Sequence, residues 1–267
     1  MTSWEFPCDG PIELAVNIAA GTVTVSAEPV SAATVHISRS GWGAAADPES
    51  EISVDYDDGQ LRVAQHLTGL RLRGHSFDVH VVVPPGSDCR VATAAADVTG
   101  RGEIGGLSVK TASGTVTSDL VRGTADVATM SGPVRLGEVT GRASAKTASG
   151  RIAIASAAGD VDVNSVSGDI SVGTAHAGVA ASTASGRIRI DSVSHGDVAV
   201  NTVSGDVSIG VAPGVGVYLD ISSLSGRVSS ELAPDEGAAA DAGLRLHGRS
   251  VSGALGVSRA QSATVAG

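Results

Sequence analysis

Between residues 160 and 210, apolar and polar side chains alternate in short bursts, and the dipeptide Ser-Gly breaks the alternation at fixed intervals. Val161 and Val163 lead towards Ser167-Gly168, and Ile170 and Val172 leave it. Ile188 and Ile190 leave Ser185-Gly186 in the same way. Period-two alternation is the signature of a strand with one buried face. Ser-Gly recurs at 113-114, 131-132, 149-150, 167-168 and 185-186 in steps of 18 residues, then at 204-205, 225-226 and 252-253 after steps of 19, 21 and 27. Val91 lies 18 residues before Val109, so Val91 to Ala96 reads as an earlier, degenerate copy. A second glycine recurs midway, at Gly123, Gly141, Gly159, Gly178 and Gly196, as at a corner where a chain without a side chain turns most easily.

Eighteen residues are too few for a helix pair and too regular for a series of hairpins. They suit one coil of a solenoid, with short strands, tight corners and coils stacked ~4.8 Å apart. The predicted fold is all-β: a single-stranded β-solenoid (β-helix) with mostly 18-residue coils, capped by an N-terminal antiparallel β segment. Residues 1–88 form the β-rich capping segment, 89–260 the solenoid and 261–267 a frayed tail. In the cap, strands are expected at 12–18 and 22–26, joined by Ala19-Ala20-Gly21, and at 35–38, 52–56, 61–66 and 77–83. Asp57-Asp58-Gly59 reads as a hairpin turn. Pro234 to Ala242 interrupts the last repeat and reads as a mobile acidic loop.

Stacking turns the repeat into columns. Directly after Ser-Gly, successive coils carry Arg151, Asp169, Arg187, Asp206 and Arg227. This alternation of sign would fix register, since opposite charges on neighbouring strands attract weakly and like charges repel. A second column pairs Thr111 with Ser113, Thr129 with Ser131, Thr147 with Ser149, Thr183 with Ser185 and Thr202 with Ser204. Counting back by twos from Ile170 turns these hydroxyls outward, and counting forward from Val163 turns them inward. The favoured expectation is that they bond backbone at a corner.

Composition narrows this picture. The chain has 267 residues, 42% of them hydrophobic but only 2% aromatic, so its core must be thin and filled by Ala, Val and Ile. Trp4, Phe6, Trp42, Tyr56 and Phe77 precede residue 78, and Tyr218 alone follows. This shift places a boundary near Pro84-Pro85-Gly86. The net charge of −10 and the lack of clustered Lys or Arg exclude nucleic acid as a partner. The opening Met1 to Phe6 has no basic and apolar leader, and no run approaches the ~20 apolar residues of a membrane span. A cytoplasmic location is therefore expected, with Cys8 and Cys89 as free thiols, although pairing of the two stays open.

No constellation in the sequence supports a catalytic, cofactor-binding or metal assignment. Parallel β-helices host carbohydrate-active enzymes that use carboxylates on a solvent face, and Asp160, Asp162 and Asp169 are the candidates for such chemistry. However, Asp after Gly is ordinary turn chemistry, and the solenoid lacks an aromatic platform for sugar rings. A hexapeptide acyltransferase needs an apolar residue every six positions. Counting from Val163 meets Asp169, and counting from Ala181 meets Arg187. An ice-binding face needs a flat, outward, uncharged array, whereas charges flank the Thr-x-Ser column. His176 and His195 fall at matching corners, but zinc needs three or four ligands. The expected role is a non-enzymatic scaffold or protein-interaction module, acting on a protein partner or by self-association. The alternative is a self-assembling protein like the bactofilins.

Specific stretches point to a family. The opening carries Gly21-Thr22-Val23-Thr24-Val25, and the junction reads Val81-Val82-Val83-Pro84-Pro85-Gly86. The repeats read Thr202-Val203-Ser204-Gly205-Asp206-Val207, and the end carries Arg249-Ser250-Val251-Ser252-Gly253 with Arg259-Ala260. Over essentially its whole length the chain resembles the bacterial "putative adhesin" family, a domain-of-unknown-function group of β-strand-repeat proteins common in actinobacteria. The resemblance implies a β-solenoid with a β-rich N-terminal part, and it brings no catalytic residues.

Overall fold

The computed structural model describes residues 2–40, 51–66, 76–232 and 243–260. The expected acidic loop at 234–242, the tail at 261–267 and Trp42 lie outside the described residues. Within them the chain is all-β and a β-solenoid, with 23 strands and turns between them. Among the described residues no helix is long and apolar enough to cross a membrane. The chain divides into two compact units, Met1–Thr140 and Gly141–Gly267.

The first unit holds β1 (Thr2–Pro7), β2 (Glu13–Ala27), β3 (Ala32–Ser40), β4 (Ile52–Asp57), β5 (Gln60–Gln65), β6 (Ser76–Val83), β7 (Asp88–Ile104), β8 (Leu107–Thr111), β9 (Val116–Val121), β10 (Ala125–Thr129) and β11 (Val134–Val139). The antiparallel pairs are β1–β3, β3–β6 and β4–β5. Asp58 (φ 46°) and Gly59 (φ 76°) turn the β4–β5 hairpin, the left-handed pair that a two-residue loop demands.

β2 differs from expectation. It runs unbroken through Ala19-Ala20-Gly21 and pairs in parallel with β5, β6 and β7. Gly21 is there because of crowding: a Cβ on it would lie 1.9 Å from the Phe77 carbonyl oxygen. From β7 onward the 18-residue register governs. Val91 sits opposite Val109, Val109 opposite Val127, and Val116 opposite Val134.

The second unit holds β12 (Ala143–Thr147), β13 (Ile152–Ala157), β14 (Val161–Ser165), β15 (Ile170–Ala175), β16 (Val179–Ser185), β17 (Ile188–Val193), β18 (Gly196–Ser204), β19 (Val207–Val211), β20 (Val217–Ser223), β21 (Val228–Ser230), β22 (Leu244–Ser252) and β23 (Leu255–Arg259). Two parallel ladders run through it. Ile152, Ile170, Ile188 and Val207 stack in one, and Val161, Val179 and Val198 in the other. Each is buried, and burying such an aliphatic side chain contributes about 1.5–3 kcal/mol.

The last two coils are stacked out of chain order. β18 and β19 pair with β22 and β23, which in turn pair with β20 and β21. Ser204 therefore lies opposite Ser252, and Asp206 follows the column to Ala254. The predicted charge column therefore ends at Asp206: Ala254 stands between it and Arg227, which does not neighbour Asp206. The irregular steps of 21 and 27 carry the chain past this position and back.

Candidate interaction surface

The three candidate carboxylates serve the stacking of coils. Asp160 Oδ1 accepts the backbone N–H of Gly178 at 3.1 Å. Asp169 Oδ1 accepts that of Arg187 at 3.0 Å, and its Oδ2 pairs with Arg151 Nη2 at 3.4 Å. Asp162 faces Arg142 Nη2 at 3.3 Å and accepts Asn164 Nδ2 at 2.9 Å. The same device recurs at other corners: Asp88 accepts Gly106 N–H at 2.6 Å, Asp97 accepts Thr115 N–H at 2.7 Å and Asp206 accepts Ala254 N–H at 3.0 Å. A backbone N–H at a corner needs a partner, and the aspartates supply it from one coil to the next.

The Thr-x-Ser columns split. Thr111, Thr129 and Thr147 are buried, and the Ser two positions later is exposed. The Oγ1 atoms of these threonines accept the N–H of Gly114, Gly132 and Gly150 at 3.1, 3.0 and 2.9 Å, and Ser165 Oγ accepts that of Gly168 at 2.8 Å. Thr183 and Thr202 are buried too, but their hydroxyls have no hydrogen-bond partner among the described residues. There Gly186 and Gly205 donate instead to the carbonyls of Ser204 and Ser252, at 3.2 and 3.1 Å. Inward threonines cannot form an ice-binding array. The outward middle residues include Met130, Val166 and Val203, each more than half exposed.

His176 and His195 are exposed. Among the described residues no three His, Cys, Asp or Glu side chains gather as a metal site would require. Cys8 and Cys89 are free and buried. Burial, and secondarily the Asp88 carboxylate, push the Cys89 thiol up to about 12, so it is not a nucleophile at neutral pH.

What the first unit does offer is a groove of about 680 Å³ across the outward face of β2, β5, β7, β8 and β10. Strand register sets one row across it: Arg62, Ala15, Arg90, Ser108 and Asp126. The neighbouring row begins Gln60, Glu13, Asp88. Ala15 is short, so a hollow lies between two arginines, each one strand spacing of ~4.8 Å away. Arg62 Nη2 donates to Gln60 Oε1 at 2.7 Å, which steadies one wall. Further along the strands, Val16, Val63, Ala64 and Ala92 line an adjoining hollow of about 290 Å³.

Both signs of charge meet in the groove, with Arg62 and Arg90 against Glu13, Asp88 and Asp126. Such a lining offers hydrogen-bond donors and acceptors together. Three of the five positions in this row are readable in the sequence, because Arg90, Ser108 and Asp126 are spaced 18 residues apart. The other two, Arg62 and Ala15, depend on β2 lying beside both β5 and β7, and no periodicity announces that pairing.

Several solved structures resemble the chain at low identity. A "putative lipid binding protein" from Parabacteroides distasonis is 13% identical over 97% of this chain and 96% of that one, with a TM-score of 0.46. A "putative adhesin" from Bacteroides fragilis is 10% identical over 96% of each chain, with a TM-score of 0.44. A "putative adhesin" from Parabacteroides distasonis is 12% identical over 96% of each chain, with a TM-score of 0.42. No curated protein matches the chain. The family model described as Toastrack DUF4097 matches residues 11–252, and the chain belongs to that family.

Proposed function

We propose that the protein is a non-enzymatic interaction scaffold that holds a protein partner on the groove of its first unit. The observation that carries this reading is the row Arg62, Ala15, Arg90, a hollow bounded by side chains of both charges. The corner aspartates support it from the other side, since their oxygens are engaged by backbone N–H groups of adjacent coils. Free, buried Cys8 and Cys89 suit a reducing compartment, and the proposed location is the cytoplasm. Fractionation of the native host tests that location.

The test of the role compares the wild-type chain with Ala15→Trp, which fills the hollow. Immobilised wild type should retain a defined host protein that Ala15→Trp, folded to the same circular dichroism spectrum, releases. Retention by both proteins alike would remove the groove from the account, and turnover of a polysaccharide by the purified chain would remove the non-enzymatic reading.

A further inference from the structure

The ladder of the second unit ends on the coil made by β20 and β21. β20 pairs with β22 and β21 with β23, and their other edges carry no strand among the described residues. The coil beneath is sealed, with Leu244, Leu246, Leu255 and Val257 at most 2% exposed. On the end coil the equivalent positions are open: Val217, Leu219 and Ile221 are half-buried and Val228 is 41% exposed. Leu224, at its corner, is 83% exposed, and Tyr218 is 49% exposed. Edge strands in natural proteins are blunted by charge, proline or a bulge. Here β20 carries one charge, Asp220, which already faces His247 Nδ1 at 3.3 Å, and β21 reads Val-Ser-Ser.

We propose that this end coil docks a second copy of the same chain, two end coils stacking edge to edge about a two-fold axis to form a closed dimer. This inference goes beyond the groove and does not depend on it. The occupant follows from the shape of what is open. Among the described residues the coil has two free edges, one on each side of its apolar interior. A single extended peptide adds to one edge and leaves the other edge and the interior wet. Another coil of the same dimensions covers both edges at once and sets Val217, Leu219 and Ile221 against a row of their own kind. Charge does not oppose the contact. In a two-fold pairing Asp220 meets its own mate only in the register centred on itself, so every other register avoids the like-charge contact. A two-fold contact uses the same patch on both partners, so assembly closes at two.

Sedimentation velocity on the full chain over a range of concentrations tests this. The wild type should reach twice the 26.3 kDa mass of one chain, and Val228→Lys and Leu219→Lys should stay at one. Should Leu219→Lys unfold, hydrogen exchange on the wild type supplies the second reading: the amides of β20 and β21 should gain protection as concentration rises. Arg90→Glu, in the groove, should dimerise like the wild type whether or not it binds a partner. A wild-type chain that stays monomeric at the highest soluble concentration overturns the proposal. So does open-ended filament growth, or a dimer that Val228→Lys leaves intact with no concentration-dependent protection of β20 and β21.

Discussion

Asp169 Oδ1 accepts the backbone N–H of Arg187, 18 residues further along the chain, at 3.0 Å. One side chain thus ties a corner to the corner of the next coil, and its second oxygen pairs with Arg151 at 3.4 Å. The two contacts differ in value. The backbone N–H is fixed in place by its own coil and needs no side-chain ordering, whereas the Arg151 arm is long, exposed and screened. Asp169→Ala should therefore cost about 1 kcal/mol, and Arg151→Ala less than about 0.5 kcal/mol. Asp169→Asn, whose amide oxygen still accepts, should fall between them. Urea unfolding midpoints of the three variants check the order.

The threonine column predicts opposite outcomes at two chemically identical positions. Thr147 Oγ1 accepts the Gly150 N–H at 2.9 Å, whereas the buried Thr202 hydroxyl has no partner among the described residues, because Gly205 donates to Ser252. Valine keeps the shape and removes the hydroxyl. Thr147→Val leaves an N–H unsatisfied and should cost about 1–3 kcal/mol. Thr202→Val removes an unsatisfied hydroxyl and should be neutral or stabilising. Equal destabilisation in chemical denaturation would mean that the two corners do not differ.

How far the fold could be read from the chain depended on whether a contact repeats. Val109 opposite Val127, or Ile170 opposite Ile188, follows from counting 18, because each coil meets a near copy of itself. β2 could not be placed in this way. Its partners β5 and β6 precede the repeat, and the contact that fixes it, Gly21 against Phe77, is a matter of space that leaves no periodic trace. The same limit hid the groove, since Ala15 is unremarkable until Arg62 and Arg90 stand on either side of it. Arg227 departs from the count for a related reason. Counting assumes that sequence order is stacking order, and β22 and β23 slip in between. The threonine direction was undecidable by twos because the strand's alternation stops at the corner itself.

The glycines of the Ser-Gly pairs are held by crowding more than by turn geometry. A Cβ on Gly168 would lie 1.9 Å from the Gly150 carbonyl oxygen, and backbone of the neighbouring coil cannot step aside. Gly243, by contrast, has no atom of the described residues within 4 Å of such a Cβ. Gly168→Ala should destabilise by about 3 kcal/mol, the upper range for forcing an extra carbon into a packed site. Gly243→Ala should change stability by less than about 0.5 kcal/mol. Thermal melting of the pair measures the contrast, and similar melting temperatures would remove coil-to-coil crowding as the reason for the repeat's most regular residue.

Cys89 links the same tight stacking to pH. Its thiol is buried against β2 and β8, opposite Leu14 and Leu107, and burial with the nearby Asp88 raises it from 9.0 to about 12. In the unfolded chain the thiol ionises at its ordinary value, so between about pH 9 and pH 12 the folded state holds a proton that the unfolded state has released. Folding stability must then fall as pH rises through that window. Below pH 9 the group is neutral in both states and contributes no slope. Cys89→Ala should lose this part of the alkaline decline, measured as the difference between wild-type and variant urea midpoints at pH 8 and pH 10.5. At pH 8 native Cys89 should also resist iodoacetamide and become alkylated in urea, as a buried, protonated thiol requires. Rapid alkylation of the native protein at Cys89, located by peptide mass, would show that the β2, β7 and β8 strands open far more often than their packing allows.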